Sequence, residues 1–97
     1  MYNYSLALPT NRSIRDILNH APQLDICAKL IGTYPTVNRR ITSPFRYDKH
    51  PNCYFEWFAN KLMFVDWAKN INVDIIGMVQ LIHPYMSVYQ AQEYIYN

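Results

Sequence analysis

The stretch from Ile41 to Trp67 reads ITSPFRYDKHPNCYFEWFANKLMFVDW. Its two apolar runs, Tyr54–Phe58 and Leu62–Trp67, are short, aromatic and β-branched. Turn formers bound them: Asp48-Lys49-His50-Pro51-Asn52 before the first run, Ala59-Asn60 between the two. This pattern predicts an antiparallel hairpin turning near Asn60. Side chains alternate across a strand, so Phe55 and Trp57 share one face while Tyr54, Glu56 and Phe58 share the other. In the second strand Leu62 and Phe64 oppose Met63, Val65 and Trp67. Both faces are therefore apolar or aromatic. Such a hairpin is either covered on both sides or keeps one face for a ligand or partner.

The order Ser43-Pro44-Phe45-Arg46-x-Asp48-x-x-Pro51-Asn52, then the hairpin, then Val73-Asp74-Ile75-Ile76-Gly77-Met78-Val79-Gln80, resembles the zinc-binding domain of bacterial and phage DNA primases. In that family a Cys-Pro-Phe-His element precedes a polar turn, and a hairpin brings up a Cys-x-x-Cys. A helix start of the form Gly-Asp/Asn-x-Ile-Asp-Phe-Val/Leu follows. The resemblance covers Ile41 to Gln80 and is looser on the flanks. It places the zinc ligands at Ser43, Arg46, Asp66 and Lys69. None of these is Cys or His, whereas a structural zinc site needs four ligands drawn from thiolate and imidazole. The resemblance thus implies a zinc-ribbon-like α+β domain without zinc, a small antiparallel hairpin or sheet flanked by short helices. An Arg46–Asp66 ion pair is the expected clamp in place of the metal, because a guanidinium–carboxylate fork is directional and bridges two loops. The alternative is a pair of ordinary solvated charges. Gly77 stands where the family has Asp or Asn, so no side-chain contact carries over there.

The chain has 97 residues, which favours one domain over residues 1–97: helices and connector in 1–40, the hairpin core in 41–69, C-terminal helices in 70–97. Half of the residues are hydrophobic, enough for a modest core, and only 16% are charged, which excludes a disordered polyelectrolyte. The net charge of +2 is too small to name a partner. Its distribution is more informative. All nine cations precede Asn70, and those from Arg39 to Lys69 cluster in and around the hairpin. Cations interleaved with aromatics are how single-stranded nucleic acid is held; a solvated rim around a β-ribbon is the competing explanation. The candidate contacts are Arg39, Arg40, Arg46, Lys49 and Lys61 to phosphates, with Tyr54, Trp57 and Phe64 stacking on bases.

Outside the hairpin, Tyr4, Leu6 and Leu8 alternate as in an edge strand that Pro9 stops. A helix is expected over Asn11–His20, capped by Ser13, and Pro22 separates it from a second over Leu24–Ile31, ended by Gly32. Lys69–Val73 reads as a polar turn. Asp74 is a good N-cap for a helix from Ile75 to about His83, which Pro84 ends. Ser87 and Gln90 form a capping box ahead of a last amphipathic helix.

Catalytic and metal patterns are thin. The carboxylates are scattered with no Asp-x-Asp, and two glycines cannot make a phosphate loop. The three histidines have no metal-type spacing, and the His50–Cys53 pair lacks two further ligands. No metal, cofactor or catalytic residue is expected, and the chain is not expected to be an enzyme on its own. Cys27 and Cys53 suit reduced thiols in a cytoplasmic, intracellular protein, and no apolar run approaches the ~20 residues of a membrane helix. Abundant Tyr, Asn and Ile suit the AT-rich genome of a phage or other virus. Two functions remain: a non-catalytic primase-like module that engages single-stranded DNA in replication, or a protein-binding module. The latter would be a viral inhibitor of a host machine or a subunit docking on a replication enzyme.

Overall fold

The computed structural model describes residues 22–96. The expected edge strand at Tyr4–Leu8 and helix at Asn11–His20 lie outside them. Within them the order is α1 (Gln23–Ile31), β1 (Cys53–Phe58), β2 (Lys61–Asp66), β3 (Ile71–Val73), α2 (Ile75–Ile82) and α3 (Val88–Tyr96). The strands form one antiparallel sheet in the order β1-β2-β3. The fold is α+β, as the alternation of apolar runs and capped helices requires.

The hairpin turns where the sequence places it. Phe58 pairs with Lys61 across a two-residue loop, with Ala59 at φ 51° and Asn60 at φ 63°. Two left-handed residues make the tight turn whose twist matches the flanking strands. Asn tolerates that conformation, whereas Ala at positive φ is strained. Phe55 faces Phe64 and Trp57 faces Leu62 on the core side of the ribbon. Phe45 closes edge-on over Phe64 with ring centroids 4.8 Å apart.

Two readings of the sequence need correction. The second strand ends at Asp66, and Trp67 begins the turn. Lys69–Val73 is not all turn: Ile71–Val73 pairs with Phe64–Asp66, which gives Ile71 and Val73 partly buried positions against the core. In α1 the buried residues are Gln23, Ile26 and Cys27.

The core is the inner face of the sheet, with Phe55, Leu62 and Phe64, closed by Ile26 and Cys27 of α1 and by Ile75, Met78 and Val79 of α2. At ~25 cal/mol per Å² of apolar surface, each fully buried side chain of this size stabilises by about 1.5–3 kcal/mol. Gly32 ends α1 at φ 87°, its N–H donating to Ala28 O at 2.8 Å. Asp74 caps α2, its Oδ1 accepting from Gly77 N at 3.1 Å. Ser87 and Gln90 close their capping box in both directions, at 3.1 and 2.8 Å. Gly77 has a steric reason to lack a side chain: a Cβ there would stand 2.7 Å from Val73 Cγ1 and closer still to its Cβ. The tight step from β3 into α2 therefore rules out the Asp or Asn of the primase pattern.

Candidate functional site

One end of the hairpin is tied by charge. Arg46, in the loop before β1, lays its fork on Asp66 at the end of β2: Nε donates to Oδ2 at 2.9 Å and Nη2 to Oδ1 at 3.2 Å. The same oxygen Oδ1 accepts the backbone N–H groups of Ala68 and Lys69, at 3.0 and 3.2 Å. Asp66 is 1% exposed. A carboxylate buried so completely needs these partners, because an unpaired buried charge is costly. Asp48 forms the other half of the knot. Its Oδ1 lies 3.2 Å from Arg46 Nη1, and its Oδ2 accepts from Ser43 N at 2.8 Å. Cys53 Sγ is 3.8 Å from that Oδ2.

The electrostatics follow. The Arg46 fork holds the Asp66 carboxyl below its ordinary pKa despite burial. The Ser43 N–H, aided by Arg46, does the same for Asp48. Asp66 in turn raises Arg46 above its ordinary value. Burial, then the two carboxylates, push the Cys53 thiol up to about 11. With its S–H directed at the Asp48 carboxylate, the thiol is protonated at neutral pH.

The positions that the resemblance assigns to zinc are thus brought together, by Ser43 N, the Arg46 fork, the Asp66 carboxylate and Lys69 N. The donor set does not suit zinc: guanidinium and ammonium cannot ligate it, and a neutral hydroxyl is a poor ligand for a closed site. Among the described residues no three His, Cys, Asp or Glu side chains gather as a metal cluster.

The candidate nucleic-acid contacts are not one patch. Arg39, Arg40 and Lys49 are exposed near the tied end. Lys61 and Trp57 stand at the hairpin tip, where Lys61 Nζ is 4.0 Å from Asp74. Tip and tied end are several residues apart along β1, at ~3.3 Å each. Two assignments are corrected. Phe64 is fully buried between Phe45 and Phe55 and offers no ring face to a base. Arg46 spends its guanidinium on Asp66, Asp48 and Tyr47 O, leaving no fork for a phosphate.

Two features were missed. Gln23 in α1 bridges the hairpin tip: its Nε2 donates to Asn60 O and its Oε1 accepts from Leu62 N, both at 2.8 Å. The second is a cleft of about 430 Å³ on the outer face of the ribbon, lined by Arg40, Asn52, Tyr54 and Trp67. Trp67 was visible as an outer-face residue, but only the register sets it beside Tyr54.

Compared with protein-family models, with curated proteins and with solved structures, the chain matches none. Among the described residues no helix is long and apolar enough to cross a membrane.

Proposed function

We propose that this chain is a non-catalytic, primase-like module that holds single-stranded DNA in replication, in the cytoplasm of a cell infected by a phage or other virus. One observation carries the reading. The primase pattern names Ser43, Arg46, Asp66 and Lys69 as partners across two loops, and the same positions meet in one polar knot with Asp48. A charge brace does there what a metal does in the family: it locks the loop before β1 to the turn after β2. Arg39, Arg40 and Lys49 lie exposed on that side for phosphates, and exposed rings nearby suit unpaired bases.

The test is single-strand DNA binding at low and moderate salt, wild type against Arg39→Ala/Arg40→Ala. Each lost phosphate contact lowers the slope of log K against log salt by about 0.7. The double variant is expected to bind more weakly with a visibly shallower slope. Wild-type protein that fails to bind single strands at low salt overturns the reading.

The hairpin tip favours a second reading. Trp57 and Phe58, on opposite faces of the tip, are 46% and 68% exposed. Large aromatics left in solvent are enriched at protein interfaces. A protein partner docked on this tip would be released by Trp57→Ala and only weakly by salt.

A further inference from the structure

We infer that the outer-face cleft lined by Arg40, Asn52, Tyr54 and Trp67 is a binding site for one unpaired nucleotide of a single strand. The inference rests on the single-strand reading above and gives it a specific seat.

The strand register builds the cleft. Tyr54 pairs with Val65 and Cys53 with Asp66, and Trp67 N continues the ladder by donating to Asn52 O at 3.1 Å. Alternation then puts Asn52, Tyr54, Val65 and Trp67 on the face opposite the buried Phe55 and Phe64. Ile41 bridges Cys53 through hydrogen bonds of 2.7 and 3.0 Å, which brings Arg40 alongside. Arg40 Nε donates to Pro51 O at 3.3 Å, so the guanidinium is steadied at the rim. The volume of about 430 Å³ falls within the ~300–1,000 Å³ of small-molecule sites.

The lining chemistry selects the ligand. Trp67 is 72% exposed although it directly follows a buried ladder residue, so an indole face is presented from a fixed backbone. Tyr54 is half-buried on the sheet and supplies a second, rigid ring. Rings with carboxylates would suit a cation. Among the described residues that line the cleft there is a guanidinium and no carboxylate. Rings beside a positive charge fit a planar, anionic ligand. Asn52 adds an amide with both donor and acceptor, able to pair with a base edge. A base over Trp67 and Tyr54, its edge at Asn52 and its phosphate at Arg40, uses each of these four residues.

The test compares an oligothymidylate with an abasic strand of equal length. In a Trp57→Phe protein the remaining indole is Trp67, and its fluorescence is expected to quench with the oligothymidylate and not with the abasic strand. Trp67→Ala is expected to bind the oligothymidylate about tenfold more weakly or worse, one stacked base being worth that much, with abasic binding unchanged. A circular dichroism spectrum checks that the variant is folded, and the fluorescence result stands independently of it. Trp67→Ala binding both strands as wild type does, or no quenching in Trp57→Phe, overturns the cleft while salt-dependent binding leaves the broader reading standing. Wild-type protein that binds neither strand overturns both.

Discussion

The two ends of the β1–β2 ribbon are fastened by opposite chemistry. At the open end, ionised groups meet: Arg46 lies between Asp66 and Asp48. At the closed end a neutral amide does the fastening. Past the end of β3, Leu62 N has no ladder partner, and Gln23 Oε1 supplies the acceptor while its Nε2 takes Asn60 O. Both devices satisfy backbone groups that have no partner in the strand ladder. The ionic one ties the Ser43–Asp48 loop to the turn after β2, beyond the last ladder bond from Trp67 N to Asn52 O. The amide one reinforces a turn that the Phe58–Lys61 pair already closes. The difference predicts unequal costs and unequal responses to pH.

The largest effect is expected from Asp66→Ala. It removes both fork bonds, leaves Ala68 N and Lys69 N without their acceptor and leaves Arg46 to Asp48 and Tyr47 O alone, a loss of about 3 kcal/mol. Denaturant unfolding measures it, and a loss under 1 kcal/mol would put the two ends on a par. Acid separates the ends next. Asp66 and Asp48 titrate below their ordinary values when folded, so their contribution is complete above the unfolded carboxylate pKa of about 4 and is lost as pH falls through the folded values. Thermal midpoints should therefore drop below about pH 4, and Asp66→Asn should flatten that drop. Gln23→Ala should leave its shape unchanged while lowering stability at every pH by about 1–3 kcal/mol, since it strands one buried donor and one acceptor. The smallest change is a gain. Ala59→Gly at φ 51° relieves a left-handed alanine and should stabilise by about 1 kcal/mol. A loss there would mean that the tip is not a strained turn.

Much of this fold was legible because its signals are local. The turn at Ala59-Asn60, the Asp74 cap and the Ser87–Gln90 box each lie within a few residues of what they control. The Arg46–Asp66 pair was legible only through the primase-like spacing, for nothing in the hydrophobic pattern connects residues twenty apart. What escaped depends on register and on distant neighbours. Ile71-Asn72-Val73 is too short to show a period, and it is a strand because β2 offers Phe64–Asp66 as an edge. Gln23 has no sequence signal for its bond to Leu62 N, thirty-nine positions away. Phe64 looked like a stacking ring because alternation says which residues share a face, but not which face Phe45 will cover. The same gap hid the cleft, whose rings come from β1 and from the turn after β2, joined through Asn52 and Trp67.

Both cysteines are fully buried, and burial lifts each thiol to about 11. At neutral pH almost no thiolate exists to react, so an alkylating reagent must wait for the chain to open. Cys53 sits in the ionic knot and Cys27 on the buried side of α1, the helix that carries Gln23. Each is a built-in clock for its own neighbourhood, and labelling rates at the two sulfurs would time how often either comes apart.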